Sequence, residues 1–155
     1  MNPVWRPALP EDDEAIVEMS LALYAEDPPS RAVEAGQIRA TLAVFRAQPV
    51  RGRAVVLECG GESAGYAFLV SFWSNELGGE ISIIDEIYIR AAWRGRGFGS
   101  MLLASLESDR TLWPTLPVAF ELEVSPDNVR AAALYERLGF RAKRNRTMRR
   151  LRDGA

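Results

Sequence analysis

The sequence predicts one α/β domain, a mixed sheet flanked by helices, in the order β-α-α-β-β-β-α-β-α-β. Three observations carry this. Apolar residues recur at helical spacing in several segments, strand-like runs separate those segments, and glycine and proline punctuation falls at the junctions. A length of 155 residues fits a single domain, 1–155, and is enough to bury a core without staples.

The elements follow in order. "PVWRPALP" is a short strand ended by Pro10. "EDDEAIVEMSLALYAED" is a helix: acids crowd its first turn, Ile16, Met19 and Leu23 share a face, and "PPS" stops it. "VEAGQIRATLAVFRAQ" is a second helix with Ile38, Leu42 and Phe45 on one side. "RAVVLECGGESAGYAFLVSFW" is a hairpin turning at Gly60, Gly61 and Glu62, and "GGEISIIDEIYI" is a further strand. A glycine-rich segment then opens the helix "SMLLASLESD", and "LPVAFELEV" is the next strand. "SPDNVRAAALYERLGF" is a helix with Ser125 as N-cap, Pro126 at the first helical position and Gly139 past the last turn. "RAKRNRTMRRLR" reads as a closing edge strand.

Composition excludes several chemistries. Histidine is absent, so histidine triads, Cys-His pairs and histidine metal sites are impossible, and no metal is expected. The one cysteine, Cys59, cannot form an intramolecular disulfide, which makes a reducing cytoplasm the expected compartment and a packed, inert thiol the expected role. The opening residues lack a basic region followed by an apolar stretch, so no signal peptide is expected. No run is long enough to span a membrane. The net charge of −2 gives no electrostatic argument for nucleic acid.

The segment "WRGRGFGSMLLASLE" holds glycines at 95, 97 and 99. A dinucleotide fingerprint would need glycine at position 100, which is Ser100, and a Walker-type phosphate loop would need Lys-Ser or Lys-Thr after a glycine. What fits is R-G-x-G-x-G opening a helix a few residues after a strand. Side-chain-free positions let backbone N–H groups converge on an anion, the helix N-terminus adds partial positive charge, and Arg94 and Arg96 add full charges. A pyrophosphate is the natural guest. The alternative is a tight strand-to-helix turn that needs glycine only for positive φ.

"IDEIYIRAAWRGRGFGSMLL" resembles the acetyl-CoA-binding motif of the GNAT acetyltransferase superfamily. "FELEVSPDNVRAAALYERLGF" resembles the family's second block, N-x-x-A-x-x-L-Y-x-x-x-G-F, here Asn128, Ala131, Leu134, Tyr135, Gly139 and Phe140. The two blocks stand in the family's order and spacing, and the resemblance covers nearly the whole chain. It implies the GNAT fold, a mixed and mostly antiparallel sheet of six to seven strands flanked by four helices. It also implies transfer of an acetyl group from acetyl-CoA to a primary amine by direct attack in a ternary complex.

By this resemblance the pyrophosphate of CoA lies on the backbone of Arg94, Gly95, Arg96, Gly97, Phe98, Gly99 and Ser100. The pantetheine arm runs along the backbone of Ile87, Tyr88 and Ile89, in the gap where this strand splays from "FELEV". Asn128 contacts the arm or is simply a helix N-terminal residue, and Tyr135 protonates the departing thiolate. A phenol of pKa about 10 keeps its proton at neutral pH and can donate it. The acceptor amine must lose a proton, which costs about 4 to 5 kcal/mol at neutral pH. Asp85 and Glu86 are the candidate bases, on opposite faces of their strand by alternation, with a structural ion pair as the alternative for each. Glu121 and Glu123 have weaker claims.

In the family the first two helices and their connection shape the acceptor pocket. Here Tyr24, Glu26 and Asp27 are placed to meet a cationic amine, and residues 1–50 carry four Arg against eight Asp and Glu, net −4. A solvated helix face is the competing explanation. A polyamine, amino sugar or amino-acid amine fits this charge. Residues 141–155 carry seven Lys and Arg against one Asp, net +6. Charge protecting an edge strand explains them, with attraction of CoA phosphates or an acidic acceptor as the alternative; no nucleic acid partner is expected. A non-catalytic acyl-CoA-binding module and a protein or peptide N-acetyltransferase are the other readings of this fold. Dimerisation is common in the family, and a homodimer is compatible with the sequence.

Overall fold

The computed structural model describes residues 2–155, which form two compact units, the first ending at Glu123 and the second spanning Val124–Ala155. In the first, strand β1 (Val4–Pro7) leads through a 3-10 turn at Pro10–Asp12 into helix α1 (Asp13–Glu26), and helix α2 (Ala35–Ala47) follows. Strands β2 (Gly52–Cys59), β3 (Glu62–Ser74) and β4 (Gly79–Ile89) then form a meander. Helix α3 (Phe98–Ser108) and strand β5 (Ala119–Leu122) complete the unit. The sheet order is β1-β2-β3-β4-β5, antiparallel except for the parallel β4–β5 pair.

Local chemistry sets these boundaries. The acids Asp13 and Glu14 face the positive end of α1, and Pro28 and Pro29 end the helical stretch. Gln37 reaches back to accept the Glu34 N–H at 2.7 Å, closing the first turn of α2. The β2–β3 turn uses Gly60 and Gly61, both at positive φ (60° and 86°), which the tight hairpin requires.

The sheet separates two cores. On one side α1 and α2 bury Ile16, Val17, Met19, Ile38 and Leu42 against Val56, Tyr66 and Phe68. On the other, α3 buries Phe98, Leu102 and Leu106 against Trp5, Val55, Leu57, Leu69 and Ile84. The Trp5 indole donates to the Phe98 carbonyl at 3.0 Å, fixing the start of α3 to the first strand. Cys59 lies inside this second core, and burial pushes its thiol up, as an inert packed cysteine should be.

The second unit contains helix α4 (Val129–Arg137). Two expectations are corrected here. The N-cap is Asn128, whose Oδ1 accepts the Ala131 N–H at 3.2 Å, and not Ser125; Pro126 accordingly lies before the helix. The sheet has five strands rather than six to seven, and among the described residues none lies in 141–155. That stretch is exposed throughout; with only Met148 and Leu151 as large apolar residues among seven cations, it has no face to bury. Its charges therefore cannot be explained as protection of an edge strand.

Candidate active site

Strand β4 organises the first unit's polar chemistry. Its parallel ladder to β5 runs from Ile81 opposite Ala119 to Ile84 opposite Leu122 and stops there, while pairing with β3 continues to Ile89 opposite Gly65. Residues 85–89 thus have no ladder partner on the β5 side. The ladder to β3 shifts register here: Phe68 faces Glu86 while Leu69 faces Ile84, so Asp85 is the additional residue of a β-bulge.

Which backbone groups reach that edge follows from alternation. The Arg90 N–H donates to Ala64 on β3 at 2.9 Å, and a Cβ on Gly65 would meet the Tyr88 carbonyl at 2.7 Å. Tyr88 therefore turns its N–H and C=O to β3, and those of Ile87 and Ile89 point to the β5-side edge. Of the three residues expected to offer their backbone to a bound arm, Ile87 and Ile89 have it turned to that edge, whereas Tyr88 has it turned to β3. The Tyr88 ring instead lies beneath the Arg94 guanidinium, 5.2 Å from its carbon to the ring centroid.

Beyond Ile89 the chain makes a 3-10 turn at Ala91–Trp93 and the glycine turn, then enters α3. Gly95 and Gly97 have φ of 75° and 79°, and an added Cβ at either would meet open space. Backbone conformation, not crowding, is what demands glycine here. The first helical bond of this turn runs from Met101 N–H to the Gly97 carbonyl at 3.0 Å. The N–H groups of Phe98, Gly99 and Ser100, ahead of it, have no carbonyl one turn back to accept them. Arg96 folds over Trp93, 4.8 Å from the ring centroid, and donates to the Ala92 carbonyl at 3.1 Å.

Arg94 is exposed but held by two partners. Its Nε donates to the Ile89 carbonyl at 2.7 Å, and one terminal nitrogen donates to both Glu26 oxygens at 2.9 and 2.8 Å. Tyr88 donates its hydroxyl to Glu26 at 3.2 Å. Glu26, expected to meet the acceptor, is thus tied to the glycine turn. Asp27 caps the end of α1 and is exposed.

Glu86 is the convergence point of the opposite face. Its Oε1 accepts from Ser20 at 3.0 Å and Tyr66 at 2.6 Å, and its Oε2 accepts from Tyr24 at 2.6 Å. Ser20 and Tyr66 are fully buried. Burial first, then the neighbouring Glu86 carboxylate, raises both phenols well above the ordinary tyrosine range; the Asp85 charge adds to the effect on Tyr24. Both tyrosines are therefore permanent donors. Tyr24, expected among the residues that meet the acceptor amine, donates to Glu86, whereas Ser20 and Tyr66 each read in the sequence as an ordinary inward-facing position. Asp85 is exposed at the bulge; Glu121 is half-buried on β5, and Glu123 is exposed.

In the second unit Asn128 and Tyr135 stand on α4. The helix closes in a Schellman arrangement: Phe140 N–H reaches the Tyr135 carbonyl at 3.0 Å and Gly139 N–H the Glu136 carbonyl at 3.1 Å. Gly139 takes φ of 94°, and the Phe140 ring meets Tyr135 edge-on at 5.8 Å between centroids. The spacing Y-x-x-x-G-F thus has a local cause: it places the tyrosine where the returning phenylalanine packs on it. Burial raises the Tyr135 phenol above its ordinary value.

A family model described as the acetyltransferase (GNAT) family matches residues 17–140. Among curated proteins no sequence matches the chain. Solved structures share the fold. A possible acetyltransferase from Clostridium difficile 630 superposes with a TM-score of 0.78 at 17% identity, over 97% of this chain and 99% of that one. A ribosomal-protein-alanine N-acetyltransferase from Brucella melitensis biovar Abortus 2308 gives 0.73 at 17% identity, over 97% and 100%. The aminoglycoside N-acetyltransferase AAC(6')-Iy, solved with CoA, gives 0.72 at 17% identity, over 97% and 95%. No described helix is long and apolar enough to cross a membrane. With the family match covering most of its length, the chain belongs to the GNAT acetyltransferases.

Proposed function

We propose that this protein transfers an acetyl group from acetyl-CoA to a primary amine of a small molecule, by direct attack in a ternary complex. The observation that carries the proposal is the continuous run from the β5-side edge of β4 into the glycine turn and the first turn of α3. An extended amide chain ending in a pyrophosphate matches that run group for group. Amides of the arm would pair with Ile87 and Ile89 as an added strand does, and the phosphates would accept from the N–H groups of residues 95–100. Asn128 keeps its Nδ2 donors for a ligand carbonyl, since its Oδ1 serves the cap.

The amine nitrogen forms a bond to the thioester carbonyl carbon, the carbon–sulfur bond breaks, the sulfur takes a proton from Tyr135, and the proton that the nitrogen sheds on acylation restores the phenol through water. Burial keeps that phenol protonated across and above the neutral range, as a general acid for a thiolate needs to be. The ammonium proton passes to Glu86 or Asp85, directly or through water. Oε1 of Glu86 accepts two hydroxyls already, so Oε2, shared only with the half-buried Tyr24, is the oxygen a substrate would reach. The acidic first 50 residues favour a cationic acceptor of the polyamine, amino sugar or amino-acid class.

The three hydroxyls already held by Glu86 also support a second reading, an acyl-CoA-binding module in which that carboxylate only braces α1 against the sheet. Thiol release from acetyl-CoA with a panel of primary amines separates the two. Turnover with one class of amine is expected; tight CoA binding without turnover of any amine would favour the module.

A further inference from the structure

We infer that Glu26 belongs to the donor side of the site: it competes with the CoA pyrophosphate for Arg94 and so sets donor affinity. The inference rests on the proposed use of acetyl-CoA. Arg94 is the residue next to the glycine turn, and its guanidinium is the only full charge there bound to a carboxylate among the contacts described. Its present seat has three sides: the Glu26 oxygens, the Tyr88 ring and the Ile89 carbonyl. The last is one of the edge acceptors that an added amide strand would use. The side-on fork of Nε and one terminal nitrogen is already occupied by the Ile89 carbonyl and Glu26, so a phosphate can take that fork only by displacing both. An anion on the turn therefore draws Arg94 off both partners, and the same movement uncovers the Ile89 carbonyl for the arm. Both arginine and carboxylate are partly exposed, so the pair is weak enough to exchange.

Isothermal titration of CoA into the wild-type chain, Glu26→Gln, Arg94→Ala and the double variant tests this. Breaking an exposed pair of this kind is expected to tighten CoA binding by about two- to fivefold in Glu26→Gln. In the Arg94→Ala background the same change is expected to alter the dissociation constant less than about twofold, because no guanidinium remains to be released. Glu14→Gln, which removes an equal charge from α1 at its pair with Arg39, controls for bulk electrostatics and is expected to bind as wild type. Unchanged or weaker binding by Glu26→Gln, or an equal gain in both backgrounds, would overturn the inference while leaving the donor assignment intact. A wild-type chain that binds no CoA overturns the donor assignment itself, and the inference with it.

Discussion

Strand β4 carries two polar centres built in opposite ways. Along its edge and into α3 the groups are backbone: the N–H and C=O of Ile87 and Ile89, then the N–H groups behind Gly95 and Gly97. On its face, Glu86 is fixed by side chains from α1 and β3. The first centre can recognise only what every amide and phosphate share. The second depends on which side chains are present, and it can change without disturbing the first. That difference suits a family with a common donor and varied acceptors.

Changes on each side test the division. The largest effect is expected from Tyr135→Phe: kcat falls about 100-fold or more, the usual contribution of a general acid, while the Kd for acetyl-CoA holds. Steady-state kinetics on the amine found by the screen measures it, and an unchanged kcat removes Tyr135 from the mechanism. In the wild type, activity is expected to persist up to the ordinary tyrosine range, because the raised phenol pKa keeps the donating form present there. Next is the backbone centre. Gly97→Ala places a Cβ at φ of 79° and is expected to weaken CoA binding about tenfold. Gly97→Asn is expected to cost less, since asparagine tolerates this conformation. Equal losses would mean that space, not conformation, governs the turn.

Smaller effects are expected from the side-chain centre. Tyr66→Phe keeps the ring in the core and removes one donor to Glu86, lowering unfolding free energy by about 1 kcal/mol in denaturant titration. CoA affinity is expected to remain that of the wild type; a loss there would show that the two centres are not separable. Gly139→Ala is expected to cost about 1 kcal/mol by straining the Schellman turn, with a fall in kcat through Tyr135. A stability loss with kcat intact would disconnect the turn from the tyrosine.

The two centres also differ in how legible they were. The turns left marks in the sequence because backbone conformation writes glycine at fixed places: 95 and 97 before α3, and 139 after α4. Glu86 and Tyr24 are candidates that the family's pattern suggests, but Ser20 and Tyr66 carry no signal, since three elements far apart in sequence must first pack to bring them together. Glu26 has a partner that the sequence does not mark. Its position on α1 suggested an acceptor contact, and only the fold brings it to Arg94. Residues 141–155 form no strand because their cations outnumber the apolar residues that a buried strand face needs.

The donor assignment is tested most directly by titrating CoA into the isotopically labelled chain and following backbone amide resonances. Shifts at Ile87, Ile89, Gly95, Gly97 and Ser100, with Tyr88 moved less because its N–H faces β3, are the expected result. Saturable CoA binding that leaves these amides in place would contradict the account.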